Sequence, residues 1–384
     1  MKQKDVTMLS LGITRPEFLR EYRESTYLFV RGGAVGVPGL KEADVFLDHS
    51  DPMPPHVRLF RDGPVPEPDY LETFQDAGMA RRRLVKDRLY DLLNDGATMV
   101  LNRIDVRSRP IRQLCREVAQ LTGDVATANA YLAVSGAGSF KEHWDTHDVF
   151  AVQLEGRKRW RLYGPTWELP LRHQTSLAHK AECPDAPVFD EILEQGDVLY
   201  IPRGWWHRAD PIGELTFHAA IGVHVTPMLD YFTWACQRSL TQSREARTGL
   251  RLDEDQAPAA AAEAMIKQLA TFLRDDRHWH EFRQTMQAQQ RNSLPFSIGE
   301  HVPAAPVTVD LDAPLRLNSH HRSPDFINGF RVVSEGWGRD IMRTLDVEGG
   351  STPRRILAAL PEVDADTGMC ILAELLRREV IERI

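Results

Sequence analysis

Between Thr98 and Val225 the chain is cut by Gly, Pro and Asn into short runs rich in β-branched and aromatic residues. They are Met99–Leu101, Ala130–Val134, Val149–Leu154, Arg159–Tyr163, Val188–Leu193 and Asp197–Ile201, and Leu215–Val225 closes the series. Runs of this length between turn residues predict the strands of a barrel or sandwich. Before them, residues 15–30 predict a helix running into a short strand. The stretch from Leu40 to Thr98 mixes turns, such as Asp51–Pro55, with a charged helix near Met79–Asn94.

After Val225 the pattern turns helical. Thr226-Pro227 predicts a cap and first-turn proline for a helix to about Thr241. Met265, Ile266, Leu269, Phe272 and Leu273 then form one apolar stripe at helical spacing. Such a stripe is first of all packed core, and helices joined to a β-domain in this way also suit a dimer interface. The Pro-rich region Asn292–Ala313 reads as a linker. Beyond it, Thr352-Pro353 starts one helix, Asp366 caps another over Thr367–Arg378, and Val380-Ile381 forms a short strand, a winged-helix-like pattern. Residues 301–384 hold 10 Arg and no Lys against 13 Asp plus Glu. A DNA-reading winged helix should be basic, so this part reads as a protein-interaction or structural module. The expected domains are 1–225, 226–300 and 301–384.

The whole chain of 384 residues is large enough for two or three domains, and its 42% apolar and 27% charged residues are ordinary for a soluble protein. No run approaches the roughly 20 apolar residues that cross a bilayer, and the N-terminus does not read as a signal peptide, so a cytoplasmic location is expected. Four scattered cysteines (Cys115, Cys183, Cys236, Cys370) form no C-x-x-C pair and read as reduced thiols. The net charge of −8 argues against direct nucleic-acid binding and suits a basic protein partner.

Chemistry concentrates in two segments. The first contains His143-Trp-Asp145-Thr-His147-Asp148, followed by Gly156-Arg-Lys158-Arg-Trp160. The second, about sixty residues after Asp145, is Gly196-Asp-Val-Leu-Tyr-Ile-Pro202-Arg-Gly204-Trp-Trp-His207. Strand residues two apart share a face, so His143 and Asp145 can both enter a barrel. His207 from a second strand completes two imidazoles and a carboxylate on one side of a metal, the facial triad of non-haem iron oxygenases. Gly196 permits a tight turn, and Pro202 and Gly204 end the strand and aim His207 inward. A hydrogen-bonded core His/Asp pair is the plain alternative, and it leaves His207 unexplained.

In HWDTHDVFAVQLEGRKRWRLYGP and GDVLYIPRGWWH the chain resembles the JmjC-type cupins, and among them the ribosomal oxygenases that hydroxylate ribosomal proteins. The resemblance implies a mainly β core, a JmjC/cupin double-stranded β-helix. A helical dimerisation region and a C-terminal winged helix would follow. It also implies Fe(II) and 2-oxoglutarate as cofactors, with His143, Asp145 and His207 as iron ligands. Lys158 would bind the far (C5) carboxylate of 2-oxoglutarate, because an ammonium inside a barrel needs an anion. Arg157 and Arg159 flank it, which leaves open a solvated position for Lys158. Asn129 matches a position that hydrogen-bonds the co-substrate, with Tyr131 beside it on the same face.

Some residues depart from the family pattern or read as structural. His147, where relatives carry an aromatic residue, is a pocket wall before it is a ligand. Trp205 and Trp206 divide between rim and core. Thr216-Phe-His218-Ala replaces the Ser- or Asn-containing variants of relatives, so Thr216 and His218 carry no assigned role. By resemblance the substrate is an Arg or His side chain of a ribosomal protein, which also suits an acidic enzyme meeting a basic tail. Rival readings are the same chemistry on a peptide natural product or another protein, a non-catalytic ligand-binding cupin regulator, and a zinc cupin isomerase. The isomerase has no need of an anchor at Lys158.

Overall fold

The structure is a computed structural model that describes residues 7–49, 54–134, 138, 140–253, 258–289, 308–317, 326–327, 330–331, 336–348, 350–377 and 380–383. It divides into two units, Met1–Val225 and Thr226–Ile384. The first begins with helix α1 (Arg15–Glu21), whose start is a capping box: the Thr14 hydroxyl accepts from Glu17 N–H and the Glu17 carboxylate accepts from Thr14 N–H. Strand β1 (Leu28–Val30), helix α2 (Lys41–His49) and strand β2 (Val57–Phe60) follow.

Next comes a hairpin of β3 (Leu71–Asp76) and β4 (Met79–Leu84), then helix α3 (Lys86–Asn94) and strand β5 (Thr98–Leu101). The charged helix expected from Met79 therefore starts only at Lys86. Residues 79–84 pair with β3 instead, and Arg81, Arg82 and Arg83 of that strand each reach an acid, Asp76, Glu67 and Glu72. Helix α4 (Arg109–Thr122) was not anticipated. Ser108 caps it, Pro110 sits in its first turn, and Gly123 ends it at φ +86°.

The remaining strands of this unit are β6 (Val125–Ala133), β7 (Asp148–Glu155), β8 (Lys158–Tyr163), β9 (Phe189–Leu193), β10 (Val198–Ile201), β11 (Trp206–Pro211) and β12 (Thr216–His224). Seven strands form one sheet in the order β1-β10-β7-β12-β6-β5-β2, and three form a second in the order β11-β8-β9. From β7 on, the chain passes from the large sheet to the small one at β8, returns at β10, leaves at β11 and returns at β12. All pairings are antiparallel.

Alternation along β7 shows how the layers are held. Val149 and Ala151 face the small sheet, in a core shared with Trp160, Leu162, Phe189, Leu193, Leu199 and Ile201. Phe150, Val152 and Leu154 face the other way, into the larger core that also takes Phe18 of α1 and Ile111, Leu114 and Val118 of α4. A strand covered on both faces reads as a continuous apolar run, as this one does.

In the second unit, helices α5 (Met228–Ser239), α6 (Arg244–Arg247), α7 (Ala259–Leu273) and α8 (Asp276–Gln289) come first. Tyr231, Trp234, Phe272, Trp279 and Phe282 form an aromatic cluster among α5, α7 and α8. Pro227, not Thr226, occupies the cap position of α5, and no side chain caps it. Most of the linker expected over 292–313 lies outside the described residues. Strand β13 (Leu315–Leu317) pairs with the last strand of the chain, and the short strands β14 (Phe326–Ile327) and β15 (Phe330–Arg331) pair with each other. Helices α9 (Trp337–Glu348), α10 (Pro353–Ala358) and α11 (Ala365–Arg377) precede that last strand, β16 (Ile381–Arg383). Among the described residues three helices thus stand where two were expected, and Leu345, Ile356, Leu372 and Ile381 share one core. Thr352 caps α10 as expected, whereas Asp364 and not Asp366 receives the Thr367 N–H at the start of α11. Among the described residues no helix is long and apolar enough to cross a membrane.

Phe150 is fully buried against Phe18 and Tyr200, with ring centroids 5.7 and 4.9 Å away. Phe150→Ala should lower stability by about 3–5 kcal/mol, read from urea unfolding followed by tryptophan fluorescence.

Candidate active site

The His-x-Asp segment does not lie in a regular strand. His143 and Asp145 precede β7 in an extended stretch whose single bridge joins His143 to His207 of β11. His143 N–H donates to the His207 carbonyl at 3.1 Å, and His207 N–H donates to the His143 carbonyl at 2.7 Å. Gly204 N–H donates to the Asp145 carbonyl at 3.0 Å. The side-chain alternation survives locally, because Trp144 turns away and packs edge-on against the buried Trp206. Trp205 is half-buried.

The loop before β11 depends on two glycines. Gly196 (φ +88°) makes the turn into β10, and Gly204 (φ +84°) lies so close to its neighbours that a Cβ would come 2.5 Å from the Trp167 carbonyl oxygen. Arg203, between Pro202 and Gly204, is buried. Its backbone N–H and the Tyr200 hydroxyl both donate to the buried Asp148 carboxylate, at 3.0 and 2.7 Å. Its guanidinium donates to Glu24 and to the Pro170 carbonyl. Asp148 stands three residues after Asp145, so this network ties the two motif segments a second time. Asp148 and Arg203 both stand in the motif segments, but neither was assigned a role from the sequence. The available signal was a charged residue set among residues that otherwise belong inside.

His143, Asp145 and His207 each offer a ligand atom, and these atoms lie within 4.8 Å of one another. Each imidazole holds Nδ1 against a backbone carbonyl two residues upstream, Lys141 at 2.8 Å and Trp205 at 3.0 Å. A carbonyl only accepts, so Nδ1 carries the proton and the Nε2 lone pair is left for a metal. Burial, followed by the His143 imidazole, pushes His207 down to about 4, so it is unprotonated at neutral pH. Burial opposes ionisation of Asp145, but His207, then His143 and His147, hold its carboxyl below the usual range. Two imidazoles and one carboxylate suit a divalent first-row metal with open positions.

His147 is not part of this cluster. Its ring lies over Gly222, where a Cβ would come 2.5 Å from Cδ2, and runs parallel to the exposed His224 ring at 5.6 Å.

Lys158, Trp160 and Leu162 share the inward face of β8. Lys158 is 4% exposed, and burial lowers its pKa to about 8. Arg157 and Arg159 point outward and pair with Glu214 and Asp190. Among the described residues no salt bridge reaches the Lys158 ammonium. His218 is buried beside it. Burial, then the Lys158 charge, holds this imidazole well below its ordinary pKa, so it is neutral. It stacks on Tyr131 (5.0 Å, 10°) and stands edge-on to Trp160 (5.4 Å, 87°), and Trp160 also lies parallel to His207. His218 Nδ1 and Trp160 Nε1 are buried with no hydrogen-bond partner.

Tyr131 is pushed up to about 12 by burial and Asp145, and the Asn129 amide hydrogen-bonds its hydroxyl. The Asn129 carbonyl oxygen accepts from Arg103 N–H at 3.0 Å. A buried ammonium with no salt bridge among the described residues, whose neighbouring charge Asp210 is already paired with Arg161 and Arg208, stands beside two buried polar groups without partners and fits an anionic organic ligand seated next to the metal position. Thr216 is fully buried, and its hydroxyl accepts from Gln153.

Residues 100–231 match the JmjC domain family. The chain is 35% identical over 154 residues to the Drosophila persimilis bifunctional lysine-specific demethylase and histidyl-hydroxylase NO66, which covers 37% of this chain and 21% of that protein. It is 28% identical over 253 residues to ribosomal oxygenase 1 of Gallus gallus, covering 62% and 40%. The chain thus spans about a fifth to two fifths of the length of these curated relatives. The crystal structure of the Escherichia coli ribosomal oxygenase YcfD shares the fold, with a TM-score of 0.60 over 98% of this chain and 100% of that one at 18% identity. YcfD has also been solved in complex with cobalt and 2-oxoglutarate, and that structure matches with a TM-score of 0.59 at 17% identity. The β core here has the JmjC cupin fold.

Gly204→Ala forces a side chain into a left-handed backbone against Trp167 and Pro170. It should cost about 1–3 kcal/mol of stability and weaken Mn(II) binding about ten-fold, measured by thermal unfolding and by the free Mn(II) signal in electron paramagnetic resonance.

Proposed function

The chain is a JmjC-domain protein related to the ribosomal oxygenases, and we propose that it is an Fe(II)- and 2-oxoglutarate-dependent protein hydroxylase. The observation that carries this reading is the pairing, inside one barrel, of a His/Asp/His cluster with a buried ammonium that makes no salt bridge among the described residues. His143, Asp145 and His207 would hold the iron, and Lys158 would hold the C5 carboxylate of 2-oxoglutarate. Tyr131, oriented by Asn129, supplies a hydroxyl to the same pocket, and His218 and Trp160 supply N–H donors.

Iron(II) with 2-oxoglutarate and O2 supplies the oxidising power to hydroxylate an unactivated C–H bond, with succinate and CO2 as by-products. The protein's part is geometric and electrostatic. The Nδ1–H···O=C bonds fix both imidazoles with Nε2 toward the metal, and the Asp145 carboxylate stays ionised. Trp160, lying over His207, keeps water off the inner side of the cluster. Lys158, at the end of the same strand face, sets the orientation of the co-substrate by charge. The substrate in this proposal is an Arg or His side chain of a basic ribosomal protein.

The helical region 226–300 is proposed to dimerise, because α5 leaves Met228, Leu229 and Phe232 exposed at 66%, 50% and 44%. Residues 301–384 are proposed as a winged-helix-like module that contacts protein and not DNA, in line with their acidic balance. Light scattering coupled to size-exclusion chromatography should report a dimer, and a monomer at micromolar concentration would remove that part of the proposal.

Anaerobic titration of Fe(II) and 2-oxoglutarate should produce a weak visible metal-to-ligand charge-transfer band, absent in His207→Ala and restored only at much higher 2-oxoglutarate in Lys158→Ala. Lys158 carries its charge below about pH 8 and loses it above, so 2-oxoglutarate affinity should fall about ten-fold between about pH 7 and pH 9. A protein that binds iron but never shows the band is a metal-binding cupin and not an oxygenase.

A further inference from the structure

Lys158 is set by the corner at which the chain leaves the large sheet for the small one. Strand β7 ends at Glu155 and β8 begins at Lys158, so Gly156 and Arg157 make the crossing. Carbonyls at such a corner lose the ladder partners they would have in mid-strand, and if buried they need another donor. Gln153 provides it. This residue is fully buried on the inward side of β7, the side of Val149 and Ala151. Its Nε2 lies 2.9 Å from the Glu155 carbonyl, 3.3 Å from the Gly156 carbonyl, 2.8 Å from Thr216 Oγ1 and 3.4 Å from the Phe217 carbonyl. Three of the four are carbonyl oxygens, which only accept, so the amide must present its NH2 group to them.

Two further features converge on this point. At Gly156 (φ +64°) a Cβ would collide with the Leu215 carbonyl, so the corner lies directly against the turn leading into β12. The pairing of β12 with β7 also slips at this level: Phe217 faces Glu155 but His218 faces Gln153, a bulge that skips Leu154. One side chain therefore bonds both the corner that launches Lys158 and the bulge that presents His218. Thr216, for which the sequence offered no role, is an acceptor in the same clamp.

We propose that Gln153 is a positioning residue for the co-substrate pocket: by bonding the corner carbonyls and the bulge at Thr216-Phe217, it aims the Lys158 ammonium and the His218 imidazole at the same anion. The inference rests on the function proposed above. It locates the control of co-substrate affinity on a residue outside the His143/Asp145/His207 cluster, whose Nε2 makes the bonds of the clamp and whose Oε1 is buried without a partner.

The test is Gln153→Met, which keeps the length and removes the donor. Mn(II) affinity, measured with the metal alone, should stay within about two-fold of wild type, while 2-oxoglutarate affinity for the Mn(II)-loaded protein, by calorimetry, falls about ten-fold or more. Equal 2-oxoglutarate affinity in variant and wild type, or equal loss of metal and 2-oxoglutarate binding, overturns the positioning role. Should the Met variant not fold, Gln153→Asn, which keeps the amide one methylene short, is read in the same two titrations against the same criteria, with about three-fold as the expected loss. A wild-type protein that binds Mn(II) but no 2-oxoglutarate would instead remove the function proposed above, which separates the two failures.

Discussion

The reciprocal backbone hydrogen bonds between His143 and His207 hold together two segments that the sequence separates by about sixty residues. They form one isolated antiparallel bridge, outside the regular pairing of β11 with β8, and a third bond from Gly204 to Asp145 extends it. With the backbones clamped at this spacing, the two imidazoles face each other at 4.3 Å between ring centroids and Asp145 joins them. The surrounding structure protects this short contact. Trp144 and Trp206 pack on its far side, Gly204 lets the loop pass close to Trp167, and the Asp148–Arg203–Glu24 network anchors the loop to the N-terminal segment. A single bridge between two non-repetitive stretches has little stability of its own, so the buried network beneath it keeps the geometry.

Strand β8 divides charge between the inside and outside of the barrel with one alternation. Arg157 before it and Arg159 within it end among carboxylates on the surface, where each pair is solvated and worth little, and Arg161 reaches the largely buried Asp210. Lys158 goes inward, where the same positive charge is costly enough that its pKa falls to about 8. The charge of Asp210 acts on it, but that carboxylate is bonded to Arg161 and Arg208, and the imidazole of His218 beside Lys158 is neutral by burial. A barrel that buries one cation among neutral donors is poised for an anion, and the neighbouring His/Asp/His cluster places a metal next to it.

Strands β7 to β10 and β12 were legible because they are short runs of β-branched and aromatic residues between turn residues, so their limits fell within a few residues of the expected ones; β11 was expected only as a strand bearing His207, without limits. The H-x-D, Lys158 and His207 positions were legible because their spacing is local. Helix α4 was missed although Ser108, Pro110 and Gly123 mark its ends, since its apolar stripe is interrupted by arginines that look like surface. Strand β4 was taken for the start of a helix because Arg81, Arg82 and Arg83 carry no period of their own. Their partners Asp76, Glu67 and Glu72 lie across the turn or before the hairpin, where no local window sees them.

What the sequence by itself determined is the residue inventory of the site and the β character of its scaffold, because ligand spacing and strand alternation are properties of neighbours along the chain. Only the tertiary structure decided that Lys158 is buried while Arg157 and Arg159 are not, that His147 turns away over Gly222, and that Asn129 is committed to Tyr131 and Arg103. The same holds for Gln153, which stands in the motif that carries the resemblance but had no role assigned from the sequence. Each depends on which strand comes to lie beside which, and on the low dielectric that results. Sheet pairing across tens of residues sets both, and neither leaves a local trace in the chain.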